Sequence, residues 1–343
     1  MARVGLGVNP AAGRDIRRLT GGASVVDDYA KRRVADCVLE GLTAVPDPPS
    51  VRVMPDRAGI ADHVLEEAPD GLAAETLEIT VENTAADTRR AAARFREEEV
   101  RAVVVLGGDG TTRDVASEIG SVPVVAVSTG TNNVVPSAVD GTVAGAAAAL
   151  VATGVVPADE VAERHGRIDA RAETPNGEKR LTALAAAEVS SRSFIGSRAL
   201  LDPDDLCGGV VSRARPGDIG LPAVAGALES VAPGESGGVV LRLADPDDAP
   251  RTARAVLAPG VVATVGVESC ERVEPDEPVA FEVPDGVVGA DGERELELTD
   301  ATVEFRVRSD GPRLVDVDAA LAAGADAGTF ALEAVDAPPA PED

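Results

Sequence analysis

Arg101-Ala-Val-Val-Val-Leu106 runs directly into Gly107-Gly108-Asp109-Gly110-Thr111-Thr112. An unbroken apolar run reads as a strand covered on both faces, the condition of strands in a parallel sheet. The glycines that follow predict a tight turn, with a helix opening at Thr111. Three glycines leave the backbone bare, so amides can approach phosphate oxygens, and a helix N-terminus adds positive potential there. An aspartate in such a turn is costly beside phosphate unless it binds a metal or accepts a proton. Asp109 is therefore the candidate catalytic residue and a candidate metal ligand. The plainer reading is a strand–helix turn in which Asp109 is only a cap.

The same alternation extends on both sides. Residues 4–8, 50–54 and 122–127 read as strands. Residues 27–42 place Val34, Cys37, Val38 and Leu42 at helical spacing, with Asp27 or Asp28 as cap. Residues 60–67 and 141–153 also read as helices, residues 75–81 as an alternating strand, and Thr84-Ala-Ala-Asp87 as a capping-box start. Strand alternating with helix predicts an open parallel α/β sheet over residues 1–153. Beyond it the texture becomes strand-like at 167–172, 180–189, 238–244, 251–258, 261–268, 279–283, 294–298 and 302–308, with a helical interruption over 193–211. Turns such as Asp245-Pro246-Asp247-Asp248 separate these runs, and a β-rich, sandwich-like second domain over 154–310 is expected. Residues 311–336 read as a segment returning to the first domain, with a helix at 317–323, and residues 337–343 as a disordered tail.

Composition narrows the function classes. The 343 residues carry 32 Lys+Arg against 59 Asp+Glu, a net charge of −27, and only Lys31 and Lys179 are lysines. A surface this negative repels nucleic acid and anionic lipid, so neither is an expected partner. No Gly-Lys-Ser/Thr occurs, which excludes a Walker-A nucleotide binder. Three scattered cysteines and two histidines make neither a disulfide framework nor a metal knuckle. No run approaches the roughly 18 apolar residues of a membrane span, and no signal peptide is evident, so a cytoplasmic protein is expected. Dense carboxylate in place of lysine suits a halophilic cytosol, where molar salt screens the repulsion.

Gly-Gly-Asp-Gly-Thr after an apolar strand resembles the NAD kinase and diacylglycerol kinase superfamily, and so does the Asn9-Pro10-Ala-Ala-Gly13 turn. Gly13-Arg-Asp-Ile-Arg-Arg-Leu19, Ala23-Ser-Val-Val26, Met54-Pro-Asp56, Ser128-Thr-Gly-Thr-Asn-Asn-Val134, Phe194-Ile-Gly-Ser-Arg198 and Arg215-Pro-Gly-Asp-Ile-Gly220 narrow it to the AcoX branch of the ATP-NAD kinase-like proteins. The resemblance covers nearly the whole chain and, with the charge, suits a halophilic archaeon. It implies ATP as phosphate donor, Mg²⁺ as cofactor, a small-molecule nucleotide substrate and a homo-oligomer. Asp109 would stand at the phosphoryl-transfer centre, with Asn9, Gly13, Gly107, Gly108, Gly110 and Thr111 around the phosphates.

The turn after the next strand brings Thr131, Asn132 and Asn133 to the same sheet edge, where open α/β sheets bind ligand. Asn132 and Asn133 suit reading a base or ribose; a polar turn is the alternative. Asp291-Gly292-Glu293 resembles a second-domain stretch that returns to the cleft, although Asp-Gly is also a common hairpin turn. One departure matters: where NAD kinases carry an Asn-Glu pair, the chain reads Ala187-Glu188, which weakens the inference to NAD. Arg14, Arg17 and Arg18 suit either a phosphate clamp or a solvated helix face, Cys37 reads as core, and His63 and His165 as surface. Three functions follow: a kinase forming NADP at the 2′-hydroxyl of NAD, a kinase of the same fold acting on a non-nucleotide hydroxyl, and a non-catalytic NAD or ATP sensor. Asp109→Asn is expected to leave folding nearly unchanged.

Overall fold

A computed structural model of the chain describes residues 1–12, 26–130, 133–175, 177–191 and 205–331. The first part is built from β1 (Arg3–Val8), α1 (Asp28–Leu42), β2 (Ser50–Val53), α2 (Ile60–Glu66), β3 (Ala74–Thr76), α3 (Ala85–Glu97), β4 (Ala102–Gly107), α4 (Asp109–Ile119), β5 (Val124–Ser128), α5 (Gly141–Thr153), α6 (Ala158–Val161) and β6 (Ala162–Arg164). Strands β1 to β5 lie parallel in the order β3-β2-β1-β4-β5. All six residues of β4 are buried, as its continuous apolar sequence requires. Helices cover both faces. On one side α1 and α5 cross closely: a Cβ on Gly41 or Gly145 would strike the backbone of Thr142 or Val38. On the other, Phe95 of α3 lies against Gly5 of β1, inside a cluster shared with Val115 and Ile119 of α4.

The strand expected over 75–81 ends early. Leu77 donates a last ladder bond to Val53 O, and then the amides of Glu82, Asn83 and Thr84 all go to the Asp87 carboxylate. These three amides lie just beyond the expected strand, where the cap of α3 turns the chain into its helix.

The second part holds β7 (Arg167–Thr174), β8 (Gly177–Ala183), β9 (Ala186–Ser190), β10 (Leu206–Val211), α7 (Leu221–Gly226), β11 (Gly238–Ala244), β12 (Arg251–Ala258), β13 (Val261–Val273), β14 (Val279–Ala290) and β15 (Glu293–Arg308). Its nine strands form one antiparallel run, β12-β13-β11-β10-β9-β14-β15-β7-β8. Two expectations fail here. The single strand over 180–189 breaks between β8 and β9, because the amides of Leu184 and Ala185 turn aside to Asp291. Of the helix expected over 193–211, residues 193–204 lie outside the described residues and 206–211 are strand. In that central strand a Cβ on Gly208 or Gly209 would strike the carbonyl of Leu241 or Ala187 in a neighbouring strand. Strands β14 and β15 meet at Asp291-Gly292, whose φ values of 55° and 79° are those of a type I′ hairpin.

The chain then returns. Strand β16 (Arg313–Val315) enters the first sheet between β5 and β6. Helix α8 (Val317–Asp326), capped by Asp316, places Ala320 in the core and Gly324 over Leu150 of α5. The tail expected at 337–343 lies outside the described residues. No helix among the described residues is long and apolar enough to cross a membrane.

Candidate active site

Strand β1 pairs with β2 on one side and β4 on the other, so the strand order reverses at β1 and β4. A crevice opens at the carboxyl ends of such a pair. The chain leaves β1 as Asn9-Pro10 and leaves β4 as Gly108-Asp109. Asn9 ties the two exits together: its amide N–H donates to Leu106 O at 3.1 Å, and its Nδ2 donates to Thr111 Oγ1 at 2.7 Å. The three glycines of the turn do different work. A Cβ on Gly107 would stand 2.5 Å from the Thr111 Cβ, and one on Gly108 would stand 2.8 Å from Asn133 Oδ1. Nothing lies within 4 Å of a Cβ built on Gly110, which faces open space. Asn133 is fixed by its Nδ2 donating to Ser128 Oγ at 2.6 Å.

Asn9, Gly108, Asp109, Gly110, Thr111, Asn133, Asp291 and Glu293 line one cleft of about 1340 Å³. Gly107 stands behind the turn and Glu188 is off the lining; Gly13, Thr131 and Asn132 lie outside the described residues, as do Arg14, Arg17 and Arg18.

Asp109 is the first residue of α4 and not its cap, which is Gly108. Its side chain crosses to the segment after β5, with Oδ2 accepting from Val134 N and Oδ1 from Val135 N, both at 2.8 Å. Only 4% of the residue is exposed. Burial, and then the charge of Asp291, push its pKa up to about 7 against the pull of those two amides. This revises the cap reading: the carboxylate staples one loop of the cleft to another.

Asp291 does the same for the opposite wall. Oδ1 accepts from the amides of Leu184, Ala185 and Ala186 at 3.1, 2.8 and 3.2 Å. Oδ2 accepts from Leu184 N at 3.1 Å and from the Arg113 guanidinium at 3.3 Å. Glu188 lies behind this hairpin, with Oε1 accepting from Gly292 N at 3.0 Å and Oε2 buried without a partner. Burial first, then Asp291, raise its pKa to about 8, so it is protonated at neutral pH. Ala187 is packed in the core of the second sheet.

Residues 30–155 match the ATP-NAD kinase N-terminal domain, and residues 167–310 match the acetoin catabolism protein X C-terminal domain. Acetoin catabolism protein X of Cupriavidus necator is 37% identical over 331 residues, covering 93% of this chain and 91% of that protein. The chain belongs to the acetoin catabolism protein X family. A yeast NADH kinase, solved in complex with NADH, is 14% identical with a TM-score of 0.49 and covers 97% of this chain and 89% of its own.

Within this family member the arginines of the cleft are mostly held by carboxylates. Arg89 pairs with Asp114 at 3.1 Å, Arg113 with Glu295 at 2.8 Å and Arg167 with Asp310 at 2.8 Å. Arg57 instead donates to Val81 O at 2.8 Å. None of these arginines was singled out from the sequence. For Arg113 a signal existed, since it follows Asp109 by four residues and so shares its helix face.

The expected metal role of Asp109 fits poorly. Mg²⁺ keeps several of its waters, whereas the Asp109 carboxylate is nearly buried and each of its oxygens already accepts a backbone amide. Among the described residues no three His, Cys, Asp or Glu gather closely enough to hold a metal. His165 is also corrected. It is fully buried where β6 crosses to β7, its Nδ1–H donates to Gly166 O at 2.7 Å, and burial lowers its pKa. His63 is half-buried against Asp36, and Cys37 is only half-buried.

Proposed function

We propose that this protein is an ATP-dependent kinase that phosphorylates a hydroxyl of a small molecule, with the 2′-hydroxyl of the NAD adenosine ribose as first acceptor. The observation that carries the reading is the turn at residues 107–111, set at the strand-order reversal and open at Gly110 onto a two-walled cleft. Phosphoryl transfer asks chiefly for alignment and charge neutralisation. The bare amides at Gly108 and Gly110 and the N-terminus of α4 supply part of that charge. Mg²⁺ carried in on the ATP phosphates would neutralise the rest without a protein cage. Asp109 takes the acceptor proton: a carboxylate has about four lone-pair sites, two of which remain beyond its two amides, and a pKa near 7 suits a general base.

A second reading, a non-nucleotide hydroxyl as acceptor, is favoured by Ala187 and Glu188. The stretch that resembles a dinucleotide-holding pair faces the sheet core and the back of a hairpin. The Cupriavidus relative is named for the catabolism of acetoin, itself a small hydroxylated molecule. A coupled assay in molar KCl with Mg²⁺ and ATP, run over NAD, NADH, acetoin and simple polyols, separates the two. NADP(H) formation supports the first reading; ATP turnover only with another hydroxyl supports the second. Nucleotide binding by calorimetry with no turnover for any acceptor would overturn both and leave a sensor.

A further inference from the structure

We propose that Arg113 is a positioning residue that sets the width of the cleft by tying the phosphate turn to the second-sheet wall. Its consequence for turnover rests on the phosphotransfer reading; its geometry does not.

Arg113 stands one helical turn after Asp109 on the same face of α4. Its guanidinium reaches residues nearly 180 positions further along the chain: Nη1 donates to Ala290 O at 3.2 Å and Asp291 Oδ2 at 3.3 Å, and Nη2 to Glu295 Oε1 at 2.8 Å. These three acceptors belong to the end of β14, the hairpin turn and the start of β15, so a single planar fork grips the whole hairpin base. The Arg113 side chain is 16% exposed and that of Asp291 only 1%. Burial works against the Arg113 charge, but Asp291, Glu295, Asp114 and Glu293 outweigh it and keep the guanidinium ionised.

The contacts close into a ring. Asp109 holds the amides of Val134 and Val135. Those two valines share an apolar cluster with Leu184 and Ala185. The amides of Leu184 and Ala185 are held by Asp291. Arg113 joins Asp291 back to α4, whose first residue is Asp109. Each buried carboxylate thus pins a backbone segment, the two segments pack on each other, and the arginine is the link that completes the circuit. A ring of this kind fixes the distance between the turn that receives the phosphates and the wall that faces it.

The test uses the full chain in molar KCl, as Arg113→Met and Arg113→Lys beside wild type. Amide hydrogen exchange is expected to speed up in Arg113→Met at residues 133–135 and 184–186 together, with β1 and β4 unchanged. Under the phosphotransfer reading kcat should fall by up to about 10²-fold, the cost of a misplacement of about 1 Å, while KM for ATP moves little. Arg113→Lys, with one charge but no fork, should recover part of that kcat. A lower melting temperature with wild-type kcat and KM would overturn the positioning role, as would wild-type exchange in both segments. If Arg113→Met does not fold, Glu295→Gln takes its place with the same two readouts. If wild type transfers phosphate to no hydroxyl, the function proposed above fails, and exchange alone decides this proposal. Joint loosening of the two segments then upholds it, and loosening confined to the hairpin overturns it.

Discussion

Two backbone amides meet one carboxylate at Asp109, and asparagine has a single acceptor oxygen to offer them. Asp109→Asn therefore leaves one buried N–H of Val134 or Val135 facing an amide NH₂, at a cost of about 1–3 kcal/mol, contrary to the neutral outcome expected from a cap. The sign of the pH effect follows from the raised pKa. Between the unfolded value near 3.8 and the folded value of about 7, the folded state binds the extra proton, so this contribution is present at low pH and lost as pH rises through about 7. The penalty of Asp109→Asn, read from melting curves, should be largest at about pH 4 and below, shrink as pH rises towards about 7, and stay level above it, where wild type bears the cost of a buried charge. Turnover should drop by roughly 10² or more if Asp109 takes the acceptor proton. Glu188 gives a cleaner pH readout, because Gln keeps the size and the neutrality of the protonated acid. Wild type should lose stability as pH rises from about 4.5 towards about 8, whereas Glu188→Gln should lose less, keeping only the loss due to other groups such as Asp109, so that their melting curves separate on the alkaline side. Parallel curves for the two proteins across that range would show that Glu188 is not held protonated.

The phosphate turn is an element whose glycines can be told apart by substitution. Gly110 lies in the first turn of α4 with open space where a Cβ would go, so Gly110→Ala should fold and gain about 0.5–1 kcal/mol of helix stability. The same methyl group would stand where phosphate is proposed to sit, and calorimetry should find ATP affinity at least about tenfold weaker, roughly 1.4 kcal/mol. Gly107→Ala should instead destabilise, since its methyl collides with Thr111. Equal ATP affinity in Gly110→Ala and wild type would move the phosphates elsewhere. This element was legible because a buried strand, three glycines and an acid stand consecutively in the chain. What could not be read were partnerships made at long range. An arginine on a helix face, such as Arg113, reads as solvated until Asp291 and Glu295 are brought to it. The alternation over 75–81 promised a strand, but its ladder stops at Leu77, and the Asp87 cap gathers the amides just beyond the expected strand. Residues 206–211 looked helical because nothing local shows that two strands flank them.

For the whole molecule, charge is the dominant long-range quantity. A net charge of −27 spreads repulsion over the surface, and salt screens it while strengthening apolar burial. Melting temperature should rise between about 0.2 and 3 M KCl. Surface pairs such as Arg272 with Glu229 weaken over the same range, but exposed pairs are worth about 0–1 kcal/mol each and should not reverse the trend. A flat or falling curve would refute this account of the acidic composition. Another consequence concerns order in time. Among the described residues strand β6 pairs in the sheet with β16 alone, through pairs such as Glu163 with Leu314, yet the whole of the second sheet is encoded between them. At about 5–20 residues per second, a ribosome needs about 7–30 s to pass from Arg164 to Arg313. Throughout that interval β6 is a nascent edge without its mate, and the first sheet, begun earliest, is among the last parts of the molecule to be finished.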